Sequence, residues 1–181
     1  GQTVSTTQLY YVKFHKPKGY VTAVEDSSHP VVMDLLPPEY LKMGVVPVGR
    51  LDKDTEGLLL LTNDGVWAHS IINGHKHVPK VYYVEFHGIL SKEGLERISA
   101  GIVLGDGIQC KPATINILSD KSLEITIEEG KYHQVKRMIG AAGGEVTYLK
   151  RLSVGHITLS GIEETNTYLE IGDQEIADFK K

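Results

Sequence analysis

The sequence predicts an α+β fold, with a mixed, largely antiparallel sheet flanked by helices. Three observations carry that prediction. Strand-like stretches outnumber helix-like ones, and the two kinds do not alternate regularly as a parallel sheet with crossover helices requires. Two neighbouring stretches, Ala113 to Leu118 and Ser122 to Glu128, each alternate apolar and polar residues across a short polar turn, which is the pattern of a hairpin.

The elements follow in order. Leu9 to Phe14 (LYYVKF) is β-rich, Lys16-Pro17-Lys18-Gly19 breaks it as a turn, and Tyr20 to Val24 reads as a short return strand. Val31 to Leu36 suits one or two helical turns stopped by Pro37-Pro38, and Val45 to Val48 is a short β piece. Leu58 to Leu61, bounded by Gly57 and by Thr62-Asn63-Asp64-Gly65, has the length of a fully buried strand. Val66 to Ile72 has helical spacing and Gly74 ends it. Lys80 to His87 (KVYYVEFH) is an alternating, aromatic strand. Ser91 is an N-cap for a helix over Lys92 to Ala100, with Gly101 at its exit. After the hairpin, Val135, Met138 and Ile139 give Gln134 to Ala142 helical spacing, closed by Gly143-Gly144. Val146 to Val154 and His156 to Leu159 return to strand, and a last short helix begins near Gln174.

At 181 residues the chain has room for one sizeable domain, or for two lobes sharing one sheet. Its 41% hydrophobic and 23% charged residues are ordinary for a globular protein. No apolar run approaches the roughly 18 residues that span a bilayer. The single cysteine, Cys110, forms no internal disulfide and suits a reducing compartment, so cytoplasm is the expected location. Residues 1–8 are small and polar and read as a linker or an expression remnant, leaving 9–181 as the folded domain.

The net charge of -4 hides a local excess of the opposite sign. Between Lys131 and Arg151 the cations Lys131, Lys136, Arg137, Lys150 and Arg151 face only Glu145. A basic patch on an acidic protein is a footprint for a polyanion, although lysines on two solvated elements give the same count.

Four groups of residues offer chemistry. In Gly49-Arg50-Leu51-Asp52, Asp52 sits on a turn beside the leucine strand, where it serves as nucleophile or general base, or simply bonds its own backbone. In Lys80-Val81-Tyr82-Tyr83-Val84 the tyrosines face opposite ways. One of them can stack on a base, unless both are ordinary core and edge residues. In Glu129 to Met138 (EGKYHQVKRM) a glycine leads into a helix whose start carries Lys131, His133, Lys136 and Arg137, an anion site in the making. His69, His75 and His77 lack the spacing and the acidic partner of a zinc site, so contact with phosphate or RNA is favoured over metal. No nucleotide-binding glycine loop and no GxSxG elbow is present.

Taken together, HKPKGY (15–20), GRLDKDTEGLLLLTNDG (49–65), KVYYV (80–84), EGKYHQVKRM (129–138) and LKRLSVGHITL (149–159) resemble the pseudouridine synthases of the RsuA family, which modify ribosomal RNA. The resemblance covers nearly the whole chain after Leu9. EGKYHQVKRM looks closer to the small-subunit type, because Tyr132-His133 stand where large-subunit relatives often carry Asn-Arg. Many members place an S4-type RNA-binding domain before the catalytic domain. This chain has no room for one, so it is expected to be either a fragment of a longer protein, which its Gly1 start favours, or a member that lacks the domain. The resemblance implies a catalytic fold with a central cleft. It makes Asp52 the catalytic aspartate, Tyr82 the base-stacking tyrosine (from the K-x-Y-x-V register) and Lys136 the basic partner, with Arg50, Lys131 and Arg137 as competitors for that last role. Arg50, Lys131, His133, Arg137, Lys150 and Arg151 are the expected RNA contacts.

Such an enzyme breaks the C1′–N1 bond of a flipped uridine, turns the uracil and rejoins it through C5. This isomerisation needs no cofactor, nucleotide or metal. The expected partner is ribosomal RNA or a pre-ribosomal particle, with no membrane involved and a monomeric protein. Three other readings remain: a non-catalytic RNA-binding or ribosome-assembly module on the same fold, a large-subunit enzyme, and a glycosidase. The glycosidase needs a second carboxylate, for which Asp54 is the nearest candidate.

Overall fold

The structure is a computed structural model and describes residues 8–73, 78–131 and 133–179. In chain order its elements are β1 (Tyr11–Lys16), a 3-10 turn (Val32–Leu35), α1 (Pro38–Lys42), β2 (Val46–Val48), β3 (Glu56–Thr62) and α2 (Gly65–Ile72). There follow β4 (Lys80–Gly88), α3 (Lys92–Ala100), β5 (Thr114–Ser119), β6 (Ser122–Ile127), α4 (Gln134–Ala141) and β7 (Gly144–Val154). The last are β8 (Ile157–Thr158), β9 (Tyr168–Glu170) and α5 (Asp173–Ala177). Two compact units result: residues 1–73 with 159–181, and residues 74–158.

In the first unit β1 pairs antiparallel with β3 on one side and β9 on the other, while β2 pairs antiparallel with β3. The register sets Val12 opposite Leu61, Phe14 opposite Leu59 and Lys16 opposite Gly57. Leu58 to Leu61 are all buried, as a strand covered on both faces requires. Burying one such leucine completely is worth about 1.5–3 kcal/mol, so this strand anchors the core of the unit. Asp64 caps α2 by accepting from the amides of Val66 and Trp67. Trp67 is fully buried, donates its indole N–H to the Ile176 carbonyl at 3.1 Å, and meets Tyr11 and Phe179 edge to face. One side chain thereby joins α2, α5 and β1.

In the second unit the strands run β5-β6-β4-β7, with β8 on β7, all antiparallel. The β5–β6 hairpin forms as its alternation predicts. Ile98 of α3, Met138 and Ile139 of α4, and Val84, Leu123 and Ile125 of the sheet make the core. Gly94 lies inside α3 because a Cβ there would come within 2.7 Å of Ala142.

Four expectations change. First, β1 runs to Lys16 rather than stopping at Phe14, because the lysine ammonium finds backbone acceptors inside the protein. Second, Tyr20 to Val24 forms no strand. Val21 makes one parallel bridge with Val31, and Thr22 turns its side chain to another loop. Third, Pro37-Pro38 does not only stop a helix. Pro38 begins α1 at the first helical position, where its missing N–H costs nothing. Fourth, β9 was not foreseen: it is three exposed residues with no apolar alternation, paired with β1 and touching Tyr40 edge to face through Tyr168.

Candidate active site

The Asp52 loop leaves β2 at Val48 and enters β3 at Glu56. Gly49 takes φ +73°, a left-handed turn that lets Arg50 reach solvent while Leu51 points into the core. Asp52 is half-buried. Its own carbonyl accepts from the Thr55 amide at 3.0 Å, which closes the turn.

The loop is held from beneath by the end of β1 and the segment that follows it. Lys16 has no exposed surface, and its ammonium reaches four carbonyl oxygens: Pro17, Asp52 and Lys53 at 3.1 Å each, and Thr55 at 2.8 Å. A buried ammonium needs such acceptors, and three of the four come from the loop that carries Asp52. The Gly19 amide adds a bond to the Lys53 carbonyl at 2.8 Å. Thr22 is also buried. Its hydroxyl donates to the Leu51 carbonyl at 2.8 Å and accepts from the Leu51 amide at 3.1 Å.

His15, one residue before Lys16, is buried as well. Its Nδ1 lies 2.8 Å from the Ile162 carbonyl, which only accepts, so Nδ1 carries the proton. The buried side-chain atoms without a hydrogen bond among the described residues are His15 Nε2 and Thr55 Oγ1. Both flank the Lys16 anchor, so this part of the unit gives up stability around the loop it holds.

The second unit holds the tyrosine and most of the cations. On β4, Tyr82 shares the buried face with Val84 and Phe86, and only 8% of its surface is exposed. Arg151 of β7 stands opposite it and is 5% exposed. Lys80, two residues before Tyr82, is mostly buried near Arg151. Burial first, and then the Arg151 charge, push its ammonium below the usual lysine range, against an opposing pull from Glu128 and Glu129. The Tyr82 face of the strand pair is therefore cationic, and Lys80 joins the residues the sequence singles out. Tyr83 and Lys150 face the other side, where Tyr83 bonds Glu85 at 2.7 Å and meets Tyr148 edge to face. Lys150 and Arg151, grouped in one patch by sequence, are thus divided between two faces of the sheet.

The loop before α4 is built around Glu129. Its carboxylate accepts from the Lys111 amide at 2.6 Å and the Gln134 side-chain amide at 3.0 Å, and lies 3.5 Å from the Lys131 ammonium. The Gln134 side-chain oxygen Oε1 in turn accepts from the Lys131 backbone amide at 3.1 Å. His133 enters the helix with φ +48°, an unusual value for a side chain larger than glycine. Lys136 and Arg137 are both half-buried on α4, and Arg137 lies 2.5 Å from Asp106. The proposed anion site at this helix start is therefore partly supplied with protein partners: Lys131 faces Glu129, and Arg137 faces Asp106.

His69 is exposed on α2, whereas His75 and His77 lie outside the described residues. Among the described residues no cluster of His, Cys, Asp and Glu suits a metal ion, and no helix is long and apolar enough to cross a membrane. Sequence reasoning singles out Asp52, Tyr82 and Arg151 as site candidates, but not Lys16 and Thr22, which bond the backbone of the Asp52 loop. The usable signal was a lysine that continues the strand period directly before a proline.

Comparison with known proteins identifies the family. The family model described as RNA pseudouridylate synthase matches residues 10–141. An uncharacterised RNA pseudouridine synthase of Bacillus subtilis, YtzG, is 43% identical over 180 residues, covering 97% of this chain and 75% of that protein. The ribosomal small subunit pseudouridine synthase A of Escherichia coli is 36% identical over 168 residues, covering 92% of this chain and 72% of its own. A crystal structure of a pseudouridylate synthase superposes with a TM-score of 0.87 at 34% identity, over 96% of this chain and 75% of that one. The chain belongs to the RNA pseudouridylate synthase family.

Proposed function

We propose that this protein converts a uridine in small-subunit ribosomal RNA to pseudouridine, with Asp52 as the reacting carboxylate. The observation that carries this reading is the hold on the Asp52 loop: a buried lysine and a buried threonine fix the backbone on both sides of one half-buried carboxylate. Likeness to small-subunit enzymes at 36–38% identity supports the choice of RNA.

In the proposed reaction the C1′–N1 bond breaks, the uracil turns, C1′ bonds to C5, and the proton leaving C5 is balanced by the one gained at N1. Asp52 either attacks C1′ or removes a sugar proton. Tyr82 is the proposed surface for the flipped base, worth roughly 1–3 kcal/mol by stacking. Lys136 is the proposed basic partner. Arg151 and Lys80, on the Tyr82 face, are proposed phosphate contacts together with Arg50, Lys131, His133 and Arg137, while Lys150 contributes from the other face. Residues 9–181 are the proposed catalytic domain, acting in the cytoplasm as a monomer without a cofactor.

The test is incubation with small-subunit and large-subunit ribosomal RNA from cells lacking the enzyme, followed by chemical mapping of pseudouridine. One new site in the small-subunit RNA with the parent protein, and none with Asp52→Asn, is the expected result. Modification confined to large-subunit RNA overturns the choice of substrate. Full activity of Asp52→Asn overturns the role of the carboxylate.

A further inference from the structure

The direction of a side chain is set by the two peptide planes that flank its Cα. For Asp52 one of those planes is held by Lys16, whose ammonium lies 3.1 Å from the Asp52 carbonyl, together with the Thr55 amide on the same oxygen. The other plane, between Leu51 and Asp52, has the Leu51 carbonyl as its oxygen. That oxygen accepts from the Thr22 hydroxyl at 2.8 Å. The same hydroxyl accepts from the Leu51 amide at 3.1 Å, so one buried atom fixes both peptide groups of Leu51.

Thr22 is itself held in place. Its neighbour Val21 donates to the Pro30 carbonyl at 2.9 Å and accepts from the Val32 amide at 3.0 Å. These bonds explain why Tyr20 to Val24 abandons strand structure despite its β-rich composition: the segment is spent on bracing another loop. A hydroxyl suits the position because it donates and accepts at once. Valine, of nearly the same shape, does neither and would leave both Leu51 groups without their partner.

We infer that Thr22 is a positioning residue for the reaction: its hydroxyl orients the Leu51–Asp52 peptide and thereby aims the Asp52 carboxylate. This rests on the reading of Asp52 as the reacting group. Misplacing a reacting group by about 1 Å can cost on the order of a hundredfold in rate, so a small tilt of this peptide is enough to be measured.

The experiment compares the parent protein with Thr22→Val, Thr22→Ala, Thr22→Ser and Asp52→Asn on one small-subunit ribosomal RNA substrate, reading kcat, KM, RNA Kd and thermal unfolding. Thr22→Val and Thr22→Ala are expected to lose about tenfold or more in kcat, with KM and RNA Kd within about twofold of the parent and both proteins folded at assay temperature. Thr22→Ser, which keeps the hydroxyl, is expected to recover most of that loss. Parent-like kcat in folded Thr22→Val, beside an inactive Asp52→Asn, overturns the role of Thr22 and leaves that of Asp52 standing. An active Asp52→Asn removes the reading on which the inference rests. Loss of kcat in Thr22→Ser as large as in Thr22→Val, a change confined to KM, or failure of both hydroxyl-deletion variants to fold also overturns it, by making Thr22 a shape, RNA-contact or folding residue instead.

Discussion

The Lys16 ammonium lies 3.1 Å from the carbonyl oxygen of Asp52, with no part of the lysine exposed. A cation beneath the loop grips the backbone of the residue whose carboxylate is proposed to react. Lys16→Met would strand the Pro17, Asp52, Lys53 and Thr55 carbonyls without that donor. Hydrogen bonds to charged groups are worth about 1.5–3 kcal/mol each but do not add, so a total loss of about 3–5 kcal/mol is expected. Urea denaturation should show it as a lower midpoint at unchanged slope. Lys16→Arg should not rescue, because a planar guanidinium does not fit a site where carbonyls converge on one nitrogen.

Asp64 links the cap of α2 to β1, since it accepts from the Val66 and Trp67 amides and from the Tyr11 hydroxyl at 2.5 Å. Burial first, then the bond to Asp64 and its charge, push the Tyr11 phenol up to about 12. A raised folded-state value means that this contribution to stability is complete below the ordinary tyrosine value of 10 and is lost as pH rises through 12. Asp64→Ala should cost about 1 kcal/mol at neutral pH through the lost cap. It should also make one tyrosine ionise at lower pH, which ultraviolet titration reads directly.

Most of what was legible in the sequence came from periodicity. Lys92 to Ala100, strand β6 of the hairpin and the leucine strand all appear where their spacing places them, because each presents one apolar face or run to a core, while β5 forms by pairing with β6 although its own side chains are mostly exposed. Asp52 and Tyr82 stand out as candidates for a different reason, their place in motifs. The supports of Asp52 do not, because Lys16 and Thr22 act on its loop from 36 and 29 residues away. Long-range contacts between a polar side chain and a backbone carbonyl leave no mark on local periodicity. The division of Lys150 from Arg151 is the opposite case: strand alternation implies it, and counting charges along the chain conceals it.

Lys80 is held in a place that disfavours its charge. A lysine whose folded-state value is lowered binds fewer protons folded than unfolded as pH rises towards the ordinary 10.5, so stability rises with pH across that alkaline window. Lys80→Met should remove the burden. A higher urea midpoint at pH 7 and a flatter alkaline rise are the expected results. If Lys80 contacts phosphate as proposed, the same variant should bind RNA more weakly and with a shallower dependence on salt.

Arg137 and Asp106 meet at 2.5 Å, and the Arg137 side chain holds the Asp106 carboxyl below the usual aspartate range. Asp106 lies between Gly105 and Gly107 on an exposed loop, and if Arg137 contacts RNA as proposed, a phosphate would compete with Asp106 for the same guanidinium. Asp106→Asn keeps the size of the side chain and removes the competitor. Because exposed ion pairs are weak, RNA affinity should rise only about two- to fivefold at low salt. Binding measured across a salt series should also steepen by about one counterion, since a phosphate rather than a protein carboxylate would then neutralise Arg137. Unchanged affinity and slope would show that Arg137 faces its aspartate in the RNA complex as well, and serves the fold of the α4 loop rather than the substrate.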